Sequence, residues 1–238
     1  MTNWPGGVIP VVMPLLALLL ALSALPAAAG DWAIVNDYTL KFTGHIKRGE
    51  YERFSKVFTP LIREIHLDSG GGLTVEGLKI ANAMADQKVK VVVVGLCMSS
   101  CANYLFVAGH EREIRGGAVG FHGSQAGCSD NKEGRTEYVE DYKKRGLGEE
   151  KIAANMESFE REIADEYKFM DKVGVSRELH IRACRDDKGL PGKGFTEFLL
   201  PKPETFEKYG IHGVVGTHNT KVLLVYDAIM FGRFYVID

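Results

Sequence analysis

The sequence predicts an α/β layer fold, in which β-strands and α-helices alternate along one domain. The strongest indication is the valine-rich run at residues 89–94, whose continuous apolar character is typical of a buried parallel strand. Two shorter strand-like segments, at residues 38–42 and 64–68, come before it, and each is followed by a stretch with helical spacing. The chain has 238 residues, 45% hydrophobic and 25% charged, which is enough for one sizeable core.

Three helices follow these strands in order, and they are predicted over residues 51–61, 74–84 and 100–107. Residues 128–145 are then mostly polar, and a long amphipathic helix is predicted from Glu149 onward. Its apolar stripe either packs against the parent domain or forms an oligomerisation or lid element. The last part of the chain is predicted to hold an apolar stretch at 195–200, a short helix at 203–209 and a strand at 221–226.

The N-terminal segment has the composition of a secretory signal peptide. An apolar run at residues 8–25 ends in small residues, and Ala27 and Ala29 satisfy the A-x-A rule for cleavage after Ala29. We therefore expect a signal peptide at 1–29, one domain at 30–238 and a periplasmic or secreted location. The segment before the run has no Lys or Arg, and about 18 apolar residues can just span a bilayer, so an uncleaved membrane anchor is the alternative.

Charge and cysteine content narrow the choice of partners and compartment. A net charge of −2 gives no electrostatic reason to expect a nucleic acid partner. The even set of Cys97, Cys101, Cys128 and Cys184 suits an oxidising compartment, and it allows three pairings. Cys128 and Cys184 flank the helical segment and are the more natural disulfide, whereas Cys97 and Cys101 can bridge only across a tight turn. A zinc site is the other interpretation, but no CxxC or HxxxH spacing supports it.

Three segments carry residues that can do chemistry. The glycine-rich turn at residues 68–72 leaves backbone N–H groups unshielded beside a helix N-terminus. Ser99 and Ser100 stand where the valine-rich strand turns into a helix, either as a reactive hydroxyl or as a helix N-cap. His122 follows a short apolar strand and precedes Gly123, a position with the clearance that a general base needs.

The order and spacing of these segments resemble the proteolytic subunit of Clp protease. Residues 67–84 match its strand–Ser-Pro-Gly-Gly–helix pattern without a gap, and the stretch from Ser100 to the pair Ala108-Gly109 matches its nucleophile helix. The Cys-x-x-Ser-Cys variant behind a signal peptide looks like a group of exported, Clp-protease-like bacterial proteins. The resemblance implies a Clp-protease/crotonase-like fold of repeated β-β-α units, with a helical insertion at about 124–190.

Carried over residue by residue, the resemblance implies Ser100 as nucleophile and His122 as general base. The backbone N–H groups of Gly71 and Cys101 would then form the oxyanion hole. Counting back from the family's landmarks near residues 203 and 209 gives Glu197 as the acid, although Glu197 could equally be a solvated surface charge.

The sequence departs from the family pattern at two places in the site. Gly70 replaces the proline of the glycine turn. The stretch from Met84 to Ser100 is one residue shorter than in the family, which leaves Ser99 as the alternative hydroxyl, although the Ala-Gly pair favours Ser100.

The expected function is that of an exported serine hydrolase, and specifically of a peptidase acting on peptides or already unfolded chains. We expect neither a metal nor another cofactor, a possible homo-oligomer, and membrane contact only if the N-terminal segment stays uncleaved. One alternative is a catalytically inactive binding or assembly module on the same scaffold. Another is an acyl-CoA enzyme of the crotonase type, against which export counts because CoA is a cytoplasmic cofactor. Fold alone does not separate these functions.

Overall fold

The computed structural model describes residues 30–129, 132–184, 197–223 and 233–238. The predicted signal peptide at 1–29 and the end of the predicted insertion at 185–190 lie outside these residues. Within the ranges described, none of the helices has both the length and the apolar character needed to cross a membrane.

A mostly parallel sheet forms the centre of the described fold. Its strands run in the order β1 (Asp31–Asn36), β2 (Thr39–Ile46), β3 (Glu64–Gly72), β4 (Lys90–Met98), β5 (Glu111–Ile114) and β8 (Val214–Gly216). β1 and β2 pair antiparallel, whereas the other pairs of neighbours are parallel. The N-terminal half of β4 pairs with β5, whereas its C-terminal half pairs with β6 (Ala118–Gly120). β5 and β6 therefore follow each other along the same side of β4, and both are parallel to it. The predicted α/β class is thereby confirmed.

Helices connect the parallel strands. They are α1 (Glu50–Val57), α2 (Thr74–Gln87), a π-helix (Cys101–Phe106), α3 (Gln125–Cys128), α4 (Lys132–Lys144), α5 (Glu149–Val173), α6 (Glu178–Arg182) and α7 (Pro203–Lys208). A second parallel pair, β7 (Glu197–Pro201) and β9 (Arg233–Ile237), is joined to the main sheet by a bridge between Leu199 and Phe121.

The main core forms where the apolar strands are covered by helices. Val91, Val92 and Val93 in β4 are all fully buried, as a central parallel strand requires. Tyr104 of the π-helix lies in the same core, with its ring centroid 6.2 Å from that of Phe169 in α5. The C-terminal half of α5 therefore packs against the parent domain, which is the first of the two interpretations of its apolar stripe.

Two predicted elements differ from the structure, and one strand was not predicted. α1 ends at Val57 rather than at residue 61, because Pro60 has no N–H and disfavours helical geometry in the residue before it. The strand predicted at 221–226 is wrong in its first half, since residues 221–223 are helical, and residues 224–226 lie outside the described ranges. The sequence analysis misses β1, an edge strand with exposed side chains on both faces and therefore no alternating pattern.

Candidate active site

The three chemically promising segments meet at one edge of the main sheet. In the register of the parallel strands, Cys97 of β4 lies between Ser69 of β3 and Val119 of β6. The C-terminal ends of parallel strands share an edge, so the glycine turn, Ser99 and His122 are brought together from three neighbouring strands. The fold thus places these three segments side by side.

Ser99 sits at the turn between β4 and the π-helix in a left-handed backbone conformation, with φ of 59°. Such a conformation costs a residue with a side chain about 1–2 kcal/mol. Strained backbone of this kind often occurs at functional sites, where the surrounding structure fixes it. The turn leaves Ser99 partly exposed and places its Oγ 2.5 Å from Nε2 of His122.

His122 is held in one orientation by its other ring nitrogen. Nδ1 lies 2.5 Å from the carbonyl oxygen of Gly123, and since a carbonyl can only accept, Nδ1 carries the hydrogen. Nε2 of the neutral ring is then the acceptor for the hydroxyl of Ser99. This is the tautomer that a general base acting on Ser99 requires.

Burial sets the charge state of His122, which is only 8% exposed. Desolvation lowers the pKa of His122 below its ordinary value, and nearby His180 lowers it further. The hydrogen bond to Gly123, the second-largest influence, and the charge of Glu166 raise the pKa of His122, but each effect is smaller than that of desolvation. The imidazole is therefore neutral at pH 7 and able to take a proton.

Ser100, the residue that the resemblance implies as nucleophile, makes a different contact. Its Oγ donates to the carbonyl oxygen of Gly72 at 2.7 Å, and the residue is only 5% exposed. The structure therefore brings Ser99, the alternative hydroxyl, to His122 and uses Ser100 to fasten the helix start to the glycine turn.

The helix that follows explains why spacing favours Ser100. Residues Cys101–Phe106 form a π-helix, in which each hydrogen bond spans one more residue than in an α-helix. A count back from Ala108-Gly109 that assumes an ordinary α-helix therefore reaches Ser100. When one additional residue is allowed for the π-helix, the same count reaches Ser99.

The glycine turn lies directly against this serine. Gly71 has φ of 88°, and a Cβ there would come within 2.5 Å of the Met98 carbonyl oxygen and 2.8 Å of the Ser100 nitrogen. The N–H group that adjoins Gly71 is therefore that of Ser100. Cys101, the donor expected from the sequence, is fully buried and bonded to Cys97. The Gly71 N–H donates to Ser69 Oγ at 3.1 Å.

Two disulfides lie next to the serine and the histidine. Cys97 and Cys101 are joined across Ser99, with their Cα atoms 5.1 Å apart, and Cys128 is joined to Cys184. The sequence-based preference for Cys128 with Cys184 is confirmed, and so is the tight turn required for the first pair. Two disulfides point to an oxidising compartment.

Two residues of the site escaped the sequence analysis. Asn103 donates from Nδ2 to the backbone carbonyl of His122 at 3.1 Å, and Phe198 places its ring edge-on to the imidazole at a centroid distance of 5.5 Å. The position of Asn103, one helical turn after Ser99, is a signal that could have found it. Phe198 comes from a distant strand, so no local pattern indicates it.

Glu197, the expected acid, begins β7, and its side chain is outside what the structure describes. Its role stays a prediction. No three residues among the described His, Cys, Asp and Glu are grouped so that they could hold a metal ion.

No family model matches this sequence, and no curated protein matches it. Among solved structures, an asparagine-to-aspartate mutant of ClpP1 from Listeria monocytogenes aligns over 78% of this chain and 95% of its own, with 18% identity and a TM-score of 0.44. ClpP1 from Listeria monocytogenes aligns over 78% and 91%, with 16% identity and a TM-score of 0.34.

An enoyl-CoA hydratase from Mycobacterium avium subsp. paratuberculosis K-10 aligns over 44% of this chain and 51% of its own, with 13% identity and a TM-score of 0.32. These are similarities of this chain to the aligned structures, with TM-scores below 0.5 in all three cases. At these identities the likeness concerns the fold alone.

Proposed function

We propose that the protein is a serine hydrolase in which Ser99 is the nucleophile and His122 the general base. The observation that supports this most directly is the 2.5 Å contact between Ser99 Oγ and His122 Nε2, on a ring whose tautomer is fixed by Gly123. Ser99 is partly exposed, whereas Ser100 is buried and its hydroxyl is already engaged. A nucleophile needs both access and an adjacent base, and Ser99 has both.

The reaction is an acyl transfer in two halves. Nε2 takes the proton from Ser99 Oγ as the oxygen forms a bond to the substrate carbonyl carbon, and the carbonyl electron pair moves to its oxygen. The protonated imidazole then gives its proton to the leaving group, whose bond to the carbon breaks. A water molecule repeats the sequence on the acyl-enzyme and restores the serine hydroxyl.

The negative oxygen formed in each half needs fixed donors. The N–H groups of Ser100 and Gly71 are the proposed donors, because a Cβ on Gly71 would lie 2.7 Å from Ser99 Cβ and 2.8 Å from the Ser100 nitrogen, so both residues adjoin Ser99. Gly71 can contribute only when Ser69 Oγ gives way, since that hydroxyl is its acceptor in this structure. Removing one such donor commonly costs a serine hydrolase about 3–4 kcal/mol of transition-state stabilisation.

The proposed substrates are peptides or unfolded polypeptide chains outside the cytoplasm, as expected from the sequence. The two disulfides support export, and cleavage after Ala29 is part of the same proposal. Mass determination of the exported protein would test the cleavage. A homo-oligomer also stays a prediction, which sedimentation of the purified protein would check.

Labelling with a fluorophosphonate probe tests the proposed function most directly, because the probe phosphonylates only an activated serine. The purified protein should be labelled, and Ser99→Ala and His122→Ala should each lower the labelling rate at least 100-fold. Ser100→Ala is the matched control, one residue away, and should keep most of the reactivity.

Labelling that survives Ser99→Ala but is lost in Ser100→Ala would return the role to Ser100. No labelling of a folded wild-type protein, with a small probe that labels a control serine hydrolase, would contradict the hydrolase. The binding or assembly module would then be the better account.

A further inference from the structure

Gly123 connects the proposed base to the second disulfide. Its carbonyl oxygen is the partner of His122 Nδ1, and the space beside its Cα is filled by sulfur. A Cβ on Gly123 would overlap the Sγ atoms of both Cys128 and Cys184. The group that orients the imidazole therefore rests on the disulfide with no side chain between them.

The disulfide also fastens the segment that carries this carbonyl. Cys128 ends α3, a single turn with Ser124 as its N-cap, whose Oγ accepts a hydrogen bond from Gly127 N at 3.0 Å. Cys184 follows α6, and its backbone N–H donates to Ile181 at 3.0 Å. The bond is thus a covalent link between α6 and the residues directly after His122.

The two disulfides differ in their access to solvent. Cys97 and Cys101 are both fully buried, whereas Cys128 and Cys184 are partly exposed. A small thiol in solution therefore reaches Cys128–Cys184 first, because exchange requires direct attack on a sulfur atom.

We propose that the Cys128–Cys184 disulfide is a positioning element for His122, so that its reduction uncouples His122 from Ser99 and makes the site sensitive to redox conditions. The inference rests on the proposed function. With a dithiol as reductant, one thiolate attacks a sulfur of the disulfide, and the second thiol resolves the mixed disulfide. Two electrons and two protons pass to the cysteines, and the reductant leaves as a cyclic disulfide.

The mechanical consequence follows from atom sizes. Two thiols stand at van der Waals separation, about twice the length of a disulfide bond, so the sulfur atoms must move apart. Gly123 contacts both of them and has to shift with its carbonyl. The hydrogen bond that fixes Nδ1–H is then lost, and the alternative tautomer presents a hydrogen to Ser99 instead of a lone pair.

The test is mild reduction of the purified protein with a dithiol, under conditions where mass spectrometry shows only Cys128–Cys184 open and circular dichroism shows a folded chain. We expect fluorophosphonate labelling to slow at least tenfold and to recover on reoxidation. The variant Cys128→Ala/Cys184→Ala should be slow from the start and should not respond to the reductant. Labelling at the wild-type rate with the bond open would overturn the inference.

A readout that does not depend on catalysis separates this inference from the proposed function. In ¹⁵N NMR spectra of the imidazoles, His122 should show the Nδ1–H form when oxidised and a tautomer mixture when reduced. If the wild-type protein is never labelled, the proposal that it is a hydrolase is contradicted. The imidazole spectrum still tests whether the Cys128–Cys184 disulfide positions His122. An identical His122 spectrum in the oxidised and reduced proteins would overturn that role.

Discussion

The hydroxyl of Ser100 donates to the carbonyl oxygen of Gly72 at 2.7 Å and so joins the start of the π-helix to the glycine turn. Its neighbour Ser99 contacts His122 instead. Two adjacent hydroxyls therefore have separate tasks, one in holding the turn and one in the proposed chemistry.

We expect these tasks to separate on mutation. Ser100→Ala removes a hydrogen bond whose acceptor, Gly72, is exposed, so it should lower the free energy of unfolding by about 0.5–1.5 kcal/mol. Probe labelling should largely persist. Ser99→Ala should abolish labelling with a smaller change in stability. Urea unfolding and labelling of the same preparations would check both, and equal effects of the two variants on labelling would contradict the division.

Backbone strain at Ser99 gives a second prediction. With φ of 59°, alanine at this position keeps the strain and glycine relieves it. Ser99→Gly should therefore be more stable than Ser99→Ala by about 1 kcal/mol. Both variants lack the hydroxyl, so their difference in urea unfolding reports the backbone alone. An alanine variant as stable as the glycine variant would show that the turn relaxes.

The close approach of the glycine turn to Ser99 gives a third prediction. Gly71→Ala combines φ of 88° with a Cβ 2.5 Å from the Met98 carbonyl oxygen, so backbone must move. We expect labelling to be lost and unfolding to become easier by more than about 2 kcal/mol.

Gly116 provides the matched control for this substitution. It has φ of 76°, and nothing lies within 4 Å of the position that a Cβ would take. Gly116→Ala should lower the free energy of unfolding only by the cost of a left-handed backbone at a residue with a side chain, about 1–2 kcal/mol, and it should leave labelling intact. Equal losses of labelling in the two variants would mean that contact with Ser99 is not the cause.

The pH dependence of labelling should reflect the burial of His122. Its pKa lies below the ordinary value of 6.5, chiefly because of desolvation, so the base is neutral at pH 7. Labelling should fall as the pH drops and the imidazole takes up a proton, with a midpoint below pH 6.5. A midpoint above 6.5 in the pH profile would contradict this account.

Phe198 offers a way to move that midpoint. Its ring packs edge-on to the imidazole, and Phe198→Leu should admit water and raise the pKa of His122 toward its ordinary value. The labelling midpoint should shift to higher pH. Phe159→Leu, in the separate cluster with Ala126 and Ile163, is the control and should leave the midpoint unchanged.

The burial of His218 should also make the free energy of unfolding depend on pH. His218 accepts from the Val119 N–H through Nδ1 and has Nε2 2.8 Å from the Pro201 carbonyl, so it is held neutral, and burial lowers its pKa. The unfolded chain then binds a proton before the folded one does. The contribution of neutral His218 to the free energy of unfolding should be complete above about pH 6.5, and it should be lost as the pH drops below this value.

Urea unfolding at several pH values would measure this slope. His218→Gln keeps an acceptor and a donor without titrating, and it should reduce the slope below pH 6.5, while His122, whose pKa is also lowered, accounts for a remaining slope. An unchanged slope in the variant would assign the acid sensitivity to other groups.

The sheet and the meeting of its strand ends could be predicted because they depend on local signals. A continuous valine run predicts β4, and a strand followed by glycines predicts the turn at its neighbour. Parallel strands then bring Ser99 and His122 to the same edge, wherever the helices lie.

The choice between Ser99 and Ser100 could not be predicted in this way, because the number of residues per helical turn is not visible in the sequence. The contact of Phe198 with His122 depends on how distant strands come together. Similarly, the support of Gly123 by sulfur requires the position of Cys184 at the end of α6.

The π-helix has a consequence for recognising relatives of this chain. A search pattern with a fixed spacing before the Ala-Gly pair selects Ser100, and it would pass over any homologue in which that position is not a serine. A pattern that allows one additional residue in this helix selects Ser99 instead. Alignments built with that allowance would show whether the serine that faces His122 is the one retained through evolution.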